Sequence, residues 1–322
     1  MLPGNLPPLP ITLLSLRLTY QAAEPLLLPR WKGALLRGGL GRALKTALCD
    51  PACQEWATCP RAASCAYRAV FSPEVEEGAS DLHGLRDAPR PYAVLPPLGE
   101  QTHYAPGDRL VFDLLLAGRA QTYLPHVLFA FETLGVRGLG LGRGRATLVE
   151  VVSRNPLTGQ TVPLLTDGVL QNQLLTVSGD DITSAASALS SQLTLQFLTP
   201  LRIKYQGQLT TTPDCHILVR TALRRLSALC TVFGDAAWDI PFGEIISAAE
   251  GVARTQTRVQ WVDWSRTSGA TGQHMTLGGL VGHVTYEDVS PSVGVELLAG
   301  SLVHIGKAVV FGHGAYRLKA GS

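Results

Sequence analysis

His304-Ile305-Gly306-Lys307-Ala308-Val309-Val310-Phe311-Gly312-His313-Gly314-Ala315-Tyr316 is the stretch on which the reading of the fold turns. Ala308–Phe311 looks like a strand, and the glycines around it predict backbone that approaches another group closely. The same density recurs at Gly278-Gly279-Leu280-Val281-Gly282. Bare amide N–H groups with His304, Lys307 and His313 among them suit a phosphate backbone. A polyanion is therefore the first ligand to consider.

Upstream of this stretch, Val293–Val303 predicts a short helix and Gly279–Val289 a strand. Arg258–Trp264 is strand-like. Val219, Ala222, Leu223, Leu226, Leu229, Cys230 and Phe233 form one apolar stripe at helical spacing, with Arg220, Arg224 and Arg225 off it. Leu193–Leu198 alternates as a strand should. The first half can be read the same way. Ile11–Tyr20 is a strand and Trp31–Leu48 a helix with a glycine-rich entry. Pro91–Leu95 and Arg109–Leu116 are extended, Tyr123–Leu134 is helical, and Ala146–Val152 is a strand. That order predicts an α+β fold of tandem ferredoxin-like domains, 1–180 and 181–322, with a Cys-rich insertion at 49–71 in the first. The tandem arrangement rests on element order, since no sequence repeat supports it.

Composition narrows the function. A chain of 322 residues favours two domains, and 46% hydrophobic content supports a sizeable core. The formal net charge is only +2, so any nucleic-acid site must be a local patch. Apolar runs such as Val127–Phe131 are far too short to span a membrane. Met1–Pro8 has no basic leader and several prolines, so no signal peptide is expected and the expected location is cytoplasmic. Neither a G-x-S-x-G elbow nor a phosphate-binding G-x-x-x-x-G-K-[ST] loop occurs.

Leu36-Arg37-Gly38-Gly39-Leu40-Gly41 leads into the first helix. Cys65-Ala66-Tyr67-Arg68-Ala69-Val70-Phe71 ends the Cys-rich segment. Pro89-Arg90-Pro91-Tyr92 precedes Tyr104-Ala105-Pro106-Gly107-Asp108, and the glycine-rich C-terminal stretch follows. With these marks in this order, the chain resembles the CRISPR-associated RAMP-superfamily endoribonucleases that process precursor CRISPR RNA. The resemblance implies two ferredoxin-like (RRM-like) domains and CRISPR repeat RNA, or the mature crRNA, as partner, with other CRISPR effector subunits as further candidates. It also implies cleavage with no metal cofactor: the ribose 2′-OH attacks the adjacent phosphate, leaving a 2′,3′-cyclic phosphate and a 5′-OH. Such chemistry needs a base, an acid and a cation for the phosphorane. Many members carry a catalytic His at the first helix, whereas Gly38–Leu48 here has none. A catalytically inactive crRNA-binding subunit is therefore the alternative, and a metal-stabilised structural protein is a third.

His304 is the candidate acid or base, because an imidazole titrates near neutral pH. Its alternative role is to meet the carbonyls at a helix end. Arg37, Arg42 and Lys45 are candidates for electrostatic work on or before the first helix, where Arg42 and Lys45 share a face. Lys307, Gly306, Gly312, His313 and Gly314 form the candidate RNA-binding loop. His283 is a further candidate. Arg143 and Arg145 sit in the cluster Gly138–Arg145, where amides and guanidinium groups can share a phosphate. Cys49, Cys53, Cys59 and Cys65 offer four soft ligands in one segment, so structural zinc is open, as is a cluster of buried thiols.

Overall fold

The computed structural model describes residues 6–49, 59, 64–73, 88–267 and 274–320. In chain order the first half contains β1 (Leu13–Ala22), β2 (Leu26–Leu27), α1 (Gly33–Leu48), β3 (Tyr92–Leu95), β4 (His103–Tyr104), β5 (Arg109–Ala117), α2 (Leu124–Arg137) and β6 (Ala146–Arg154). It ends with β7 (Thr161–Thr166), β8 (Val169–Leu170) and β9 (Thr176–Val177). The second half contains α3 (Gly179–Ser187), β10 (Leu193–Leu201), β11 (Lys204–Tyr205), β12 (Gln208–Leu209), α4 (Cys215–Phe233), α5 (Phe242–Glu250) and β13 (Ala253–Val262). After these come β14 (Ser265–Thr267), β15 (His274–Thr276), β16 (Gly279–Glu287), α6 (Pro291–Val303) and β17 (Tyr316–Ala320).

The two halves share one topology. The first sheet runs β3-β5-β1-β6, extended by β7 and β8, and the second runs β13-β16-β10-β17. Counted within each half, both orders are second, third, first and fourth strand, all antiparallel. With a helix after the first and third strands, this is the ferredoxin-like arrangement twice over.

Alternation builds each core. Along β1, Leu14, Leu16, Leu18 and Tyr20 point to one face and pack with Leu36, Leu40 and Leu44 of α1 and Val127 and Phe131 of α2. Along β10, Leu193, Leu195 and Phe197 meet Leu218, Leu226 and Leu229 of α4 and Leu297 of α6. The glycines of the Leu36–Gly41 motif lie inside α1, where glycine costs roughly 0.5–1 kcal/mol against alanine. Close packing explains them: a Cβ on Gly39 would collide with Leu134 of α2, and one on Gly41 with the Phe71 ring.

One local expectation is corrected. Val309–Phe311 is a single 3-10 turn, not part of the closing strand, which starts at Tyr316. Ala308 (φ +64°) and Gly312 (φ +87°) bracket it in left-handed backbone, which ends any extended run. Among the described residues no helix is long and apolar enough to cross a membrane.

Candidate functional site

The C-terminal stretch is folded against the protein itself. Gly306 (φ +92°), Gly312 (φ +87°) and Gly314 (φ +72°) all occupy glycine-favouring backbone. A Cβ on Gly314 would collide with the Ile305 carbonyl, one on Gly312 with Pro96, and one on Gly306 would lie 2.6 Å from the Arg202 carbonyl oxygen. The amides are not bare. Lys307 donates to Arg202 at 2.7 Å, Gly312 to Val309 at 2.8 Å and Gly314 to Pro200 at 3.1 Å. The close approach expected from the sequence is of chain to chain, and of the stretch's side chains only Lys307 is well exposed.

Both histidines of the stretch are buried. His304 ends α6 with φ +58°. Burial, helped by the nearby Arg225 guanidinium, pushes its imidazole down to about 3, and its Nδ1 has no hydrogen-bond partner. His313 lies between two indoles, stacked on Trp264 at 5.3 Å and edge-on to Trp31 at 5.4 Å. Its Nε2 lies 3.1 Å from the Trp264 indole N–H and 2.9 Å from the Leu277 carbonyl oxygen. Burial pushes it down to about 4, against the pull of the Leu277 carbonyl. Burial holds both imidazoles below the neutral range, which argues against the acid–base role expected of His304. His313, a candidate of the RNA-binding loop, instead has its ring taken up by Trp31 and Trp264.

Arg37 likewise faces inward. Its guanidinium carbon lies 4.6 Å from the Phe71 ring centre and 4.7 Å from that of Phe311, a cation held between two aromatic faces. The Trp31 indole donates to the Phe311 carbonyl at 3.0 Å. Together with His313, these contacts latch the start of α1 to the end of the second domain.

The open cationic feature lies at the other end of α1. Where Gly39 lets Leu134 close in, the two helices and the loop after α2 leave a cleft of about 340 Å³. Arg42, Arg137 and Arg143 line it, with Ala43 and Gly138. Arg137, in the last turn of α2, donates to the Thr46 hydroxyl at 3.1 Å. Arg143 is aimed by a tight loop in which Leu139 donates to the Gly144 carbonyl at 2.8 Å. Gly138, Gly140, Gly142 and Arg143 itself all have positive φ there. None of the three arginines forms an ion pair with a carboxylate among the described residues.

Arg42 and Arg143, both expected from the sequence, thus meet across 101 residues of chain, and Arg137 joins them. Arg145 does not line the cleft: Glu24 holds its guanidinium at 2.6 Å, and the pair lowers the Glu24 carboxyl below its usual range. Lys45 is exposed on the last turn of α1. His283 lies elsewhere, on β16. Of the thiols, Cys49 caps α1, and Cys49 and Cys65 both act on the Tyr67 hydroxyl. Cys59 is part-buried, and Cys53 lies outside the described residues. Among the described residues no three His, Cys, Asp or Glu side chains gather as a metal site would require.

Three guanidinium groups around one cleft can hold a phosphate through paired, charge-assisted hydrogen bonds. They neutralise charge but do not shuttle protons, because arginine stays protonated in proteins. The arrangement can therefore accommodate a phosphodiester and stabilise extra negative charge on it.

Comparison with known proteins agrees with the fold. A family model described as an N-terminal domain matches residues 9–175, and the model of the CRISPR-associated endoribonuclease Cas6 matches residues 195–316. A chain of a partial Cas6-RT-Cas1–Cas2 complex superposes with a TM-score of 0.62 at 14% identity, over 98% of this chain and 47% of that one. Thermus thermophilus Cas6 (TTHB231) superposes at 0.55 and 14% identity, over 96% of this chain and 99% of that one. A Cas6 (TTHA0078) product complex gives 0.53 at 18% identity, over 96% and 100%. The chain spans about half of the partial complex chain, and 29% of its counterpart in the Cas6-RT-Cas1–Cas2 complex. No curated protein matches it in sequence.

Proposed function

We propose that the chain belongs to the CRISPR-associated endoribonuclease Cas6 family, whose model matches residues 195–316, and that it binds CRISPR repeat RNA and cuts it in the arginine cleft between α1 and α2. The observation that carries this reading is the convergence of Arg42, Arg137 and Arg143 on one cleft of about 340 Å³, with no carboxylate paired to them among the described residues. In the step proposed, the 2′-oxygen forms a bond to phosphorus as the bond from phosphorus to the 5′-oxygen breaks. The 2′-OH proton passes to water, and water supplies the proton taken up by the leaving 5′-oxygen. The products are a 2′,3′-cyclic phosphate and a 5′-OH. The three guanidinium groups stabilise the pentavalent transition state, where negative charge on the non-bridging phosphate oxygens is greatest. They supply the positive charge the step needs, so chelation is not expected to stop it.

The test is single-turnover cleavage of the repeat RNA of the same locus in EDTA, reading the product ends. A cyclic phosphate supports the proposal, and a 3′-OH product refutes it. One observation favours a second reading, a subunit that holds crRNA without cutting: among the described residues no imidazole lines the cleft, and His304 and His313 are both buried away from solvent. Tight binding with RNA left intact would select it. Other CRISPR proteins are proposed partners, since one structural relative is itself part of a Cas6-RT-Cas1–Cas2 complex.

A further inference from the structure

The second sheet has a face that no helix covers. Leu195, Phe197, Leu280, Val284 and Tyr286 point towards α4 and α6 and belong to one core. Alternation turns their neighbours the other way. The register then places one residue from each of four strands in a single row. Arg258 of β13 pairs with His283 of β16, His283 with Gln196 of β10, and Gln196 with Arg317 of β17. Lys319, opposite Thr194, stands on the same face one step along.

Arg258, Arg317 and Lys319 are exposed, and His283 and Gln196 are half-buried. Arg317 donates to the Gln196 side-chain oxygen at 2.9 Å, which holds the row together. None of the three cations meets a carboxylate among the described residues. The acid that shares the face, Glu287, lies at the far end of β16 and accepts from Gln192 at 3.1 Å. Across three strand spacings of about 4.8 Å the row is roughly 15 Å long. Its one ring is the half-buried His283 imidazole, and no Trp, Tyr or Phe stands in it, so it offers mainly charge and hydrogen bonds.

We infer that this row is a binding track for the sugar–phosphate backbone of single-stranded RNA, separate from the arginine cleft. The inference rests on the reading of the protein as RNA-binding, and it deepens that reading by adding a second contact surface. Charge complementarity selects the occupant: a polyanion that lies flat across strands and needs no pocket. With its cations directed at phosphates and no large aromatic platform, the track grips any base sequence, as backbone-directed surfaces do. Length of RNA outside the cleft then adds affinity without adding specificity.

The test is binding of an unstructured oligouridine RNA to the full chain over a salt series. Arg258→Ala with Arg317→Ala is expected to lower the slope of log affinity against log salt by about 1.4, at roughly 0.7 per phosphate contact on a single strand. Arg258→Lys with Arg317→Lys is expected to keep the slope. Lys319→Ala, a single change at an exposed side chain of β17, is expected to lower it by about 0.7 and guards against a misfolded double variant. An unchanged slope and affinity in Lys319→Ala and in the double alanine variant, with melting unaltered, overturns the track. A wild-type protein that binds oligouridine yet leaves repeat RNA intact would refute the nuclease and leave the track to the slope. Absence of RNA binding in the wild type would refute both.

Discussion

Glu296 is a buried carboxyl with no partner among the described residues, and replacing it with glutamine should change how the protein responds to pH. The side chain sits on α6 with no exposure, and neither carboxyl oxygen has a hydrogen-bond partner. Burial raises its carboxyl from the ordinary 4.5 to about 8. The folded protein therefore keeps this proton over a range in which the unfolded chain has lost it. Stability must fall as pH rises through that range, because unfolding releases a proton. Each pH unit costs about 1.4 kcal/mol, so from about pH 5 to 7.5 the loss is about 3 kcal/mol. Above about 8 the folded form ionises too, and the loss levels off. Glu296→Gln keeps the shape and carries no titrating proton. Urea denaturation of both proteins at pH 5, 6.5 and 8 measures the difference. The variant should gain about 3 kcal/mol or more on the wild type across that span. Parallel stability curves would refute the reasoning, since they would mean the carboxyl is ionised and paired in the folded state.

Arg143→Ala should slow single-turnover cleavage by about a hundredfold or more, as loss of one preorganised donor to a charged intermediate does. Arg145→Ala, which only releases Glu24, should change the rate by less than about threefold, and equal losses in the two would contradict the cleft assignment. His304→Gln should likewise leave the rate within about threefold, and the pH–rate profile between 6 and 8 should lack a limb near 6.5, because both buried imidazoles stay neutral there. An imidazole-like limb would return His304 or His313 to the mechanism. Gly314→Ala should destabilise the protein by more than about 2 kcal/mol, from positive φ and a collision with the Ile305 carbonyl, and thermal melting within a degree of wild type would refute that packing.

The tandem architecture was legible because each half states its order locally. Alternation in Leu193–Leu198 and the helical stripe from Val219 to Phe233 each signal their element without help from distant residues. The short strands β7, β8 and β9 and the helices α3 and α5 were not predicted, because short elements carry too little periodicity to stand out. Val309-Val310-Phe311 misled by composition: an apolar run looks extended until the left-handed residues on either side of it are known. The glycines were correctly read as points of close approach, but the approaching group was the chain's own carbonyls and rings. No spacing rule distinguishes the two. Arg137 went unnoticed because its importance lies in facing Arg42 and Arg143, which are distant in sequence and meet only when α1 and α2 pack.

The latch between Trp31, Arg37, Phe311 and His313 sets a clock on synthesis. Trp31 and Arg37 leave the ribosome early, but the Phe311 carbonyl and the His313 ring that complete their contacts are made some 280 residues later. At about 5–20 residues per second, α1 waits between roughly a quarter of a minute and a minute for its partner. During that interval the first domain can fold around its own core while the start of its cleft-bearing helix stays unclasped. A ribosome stalled before residue 311 would therefore leave a nascent chain with the cleft's arginines present and their supporting helix unanchored. The arrangement makes the finished second domain a condition for a fully braced first one.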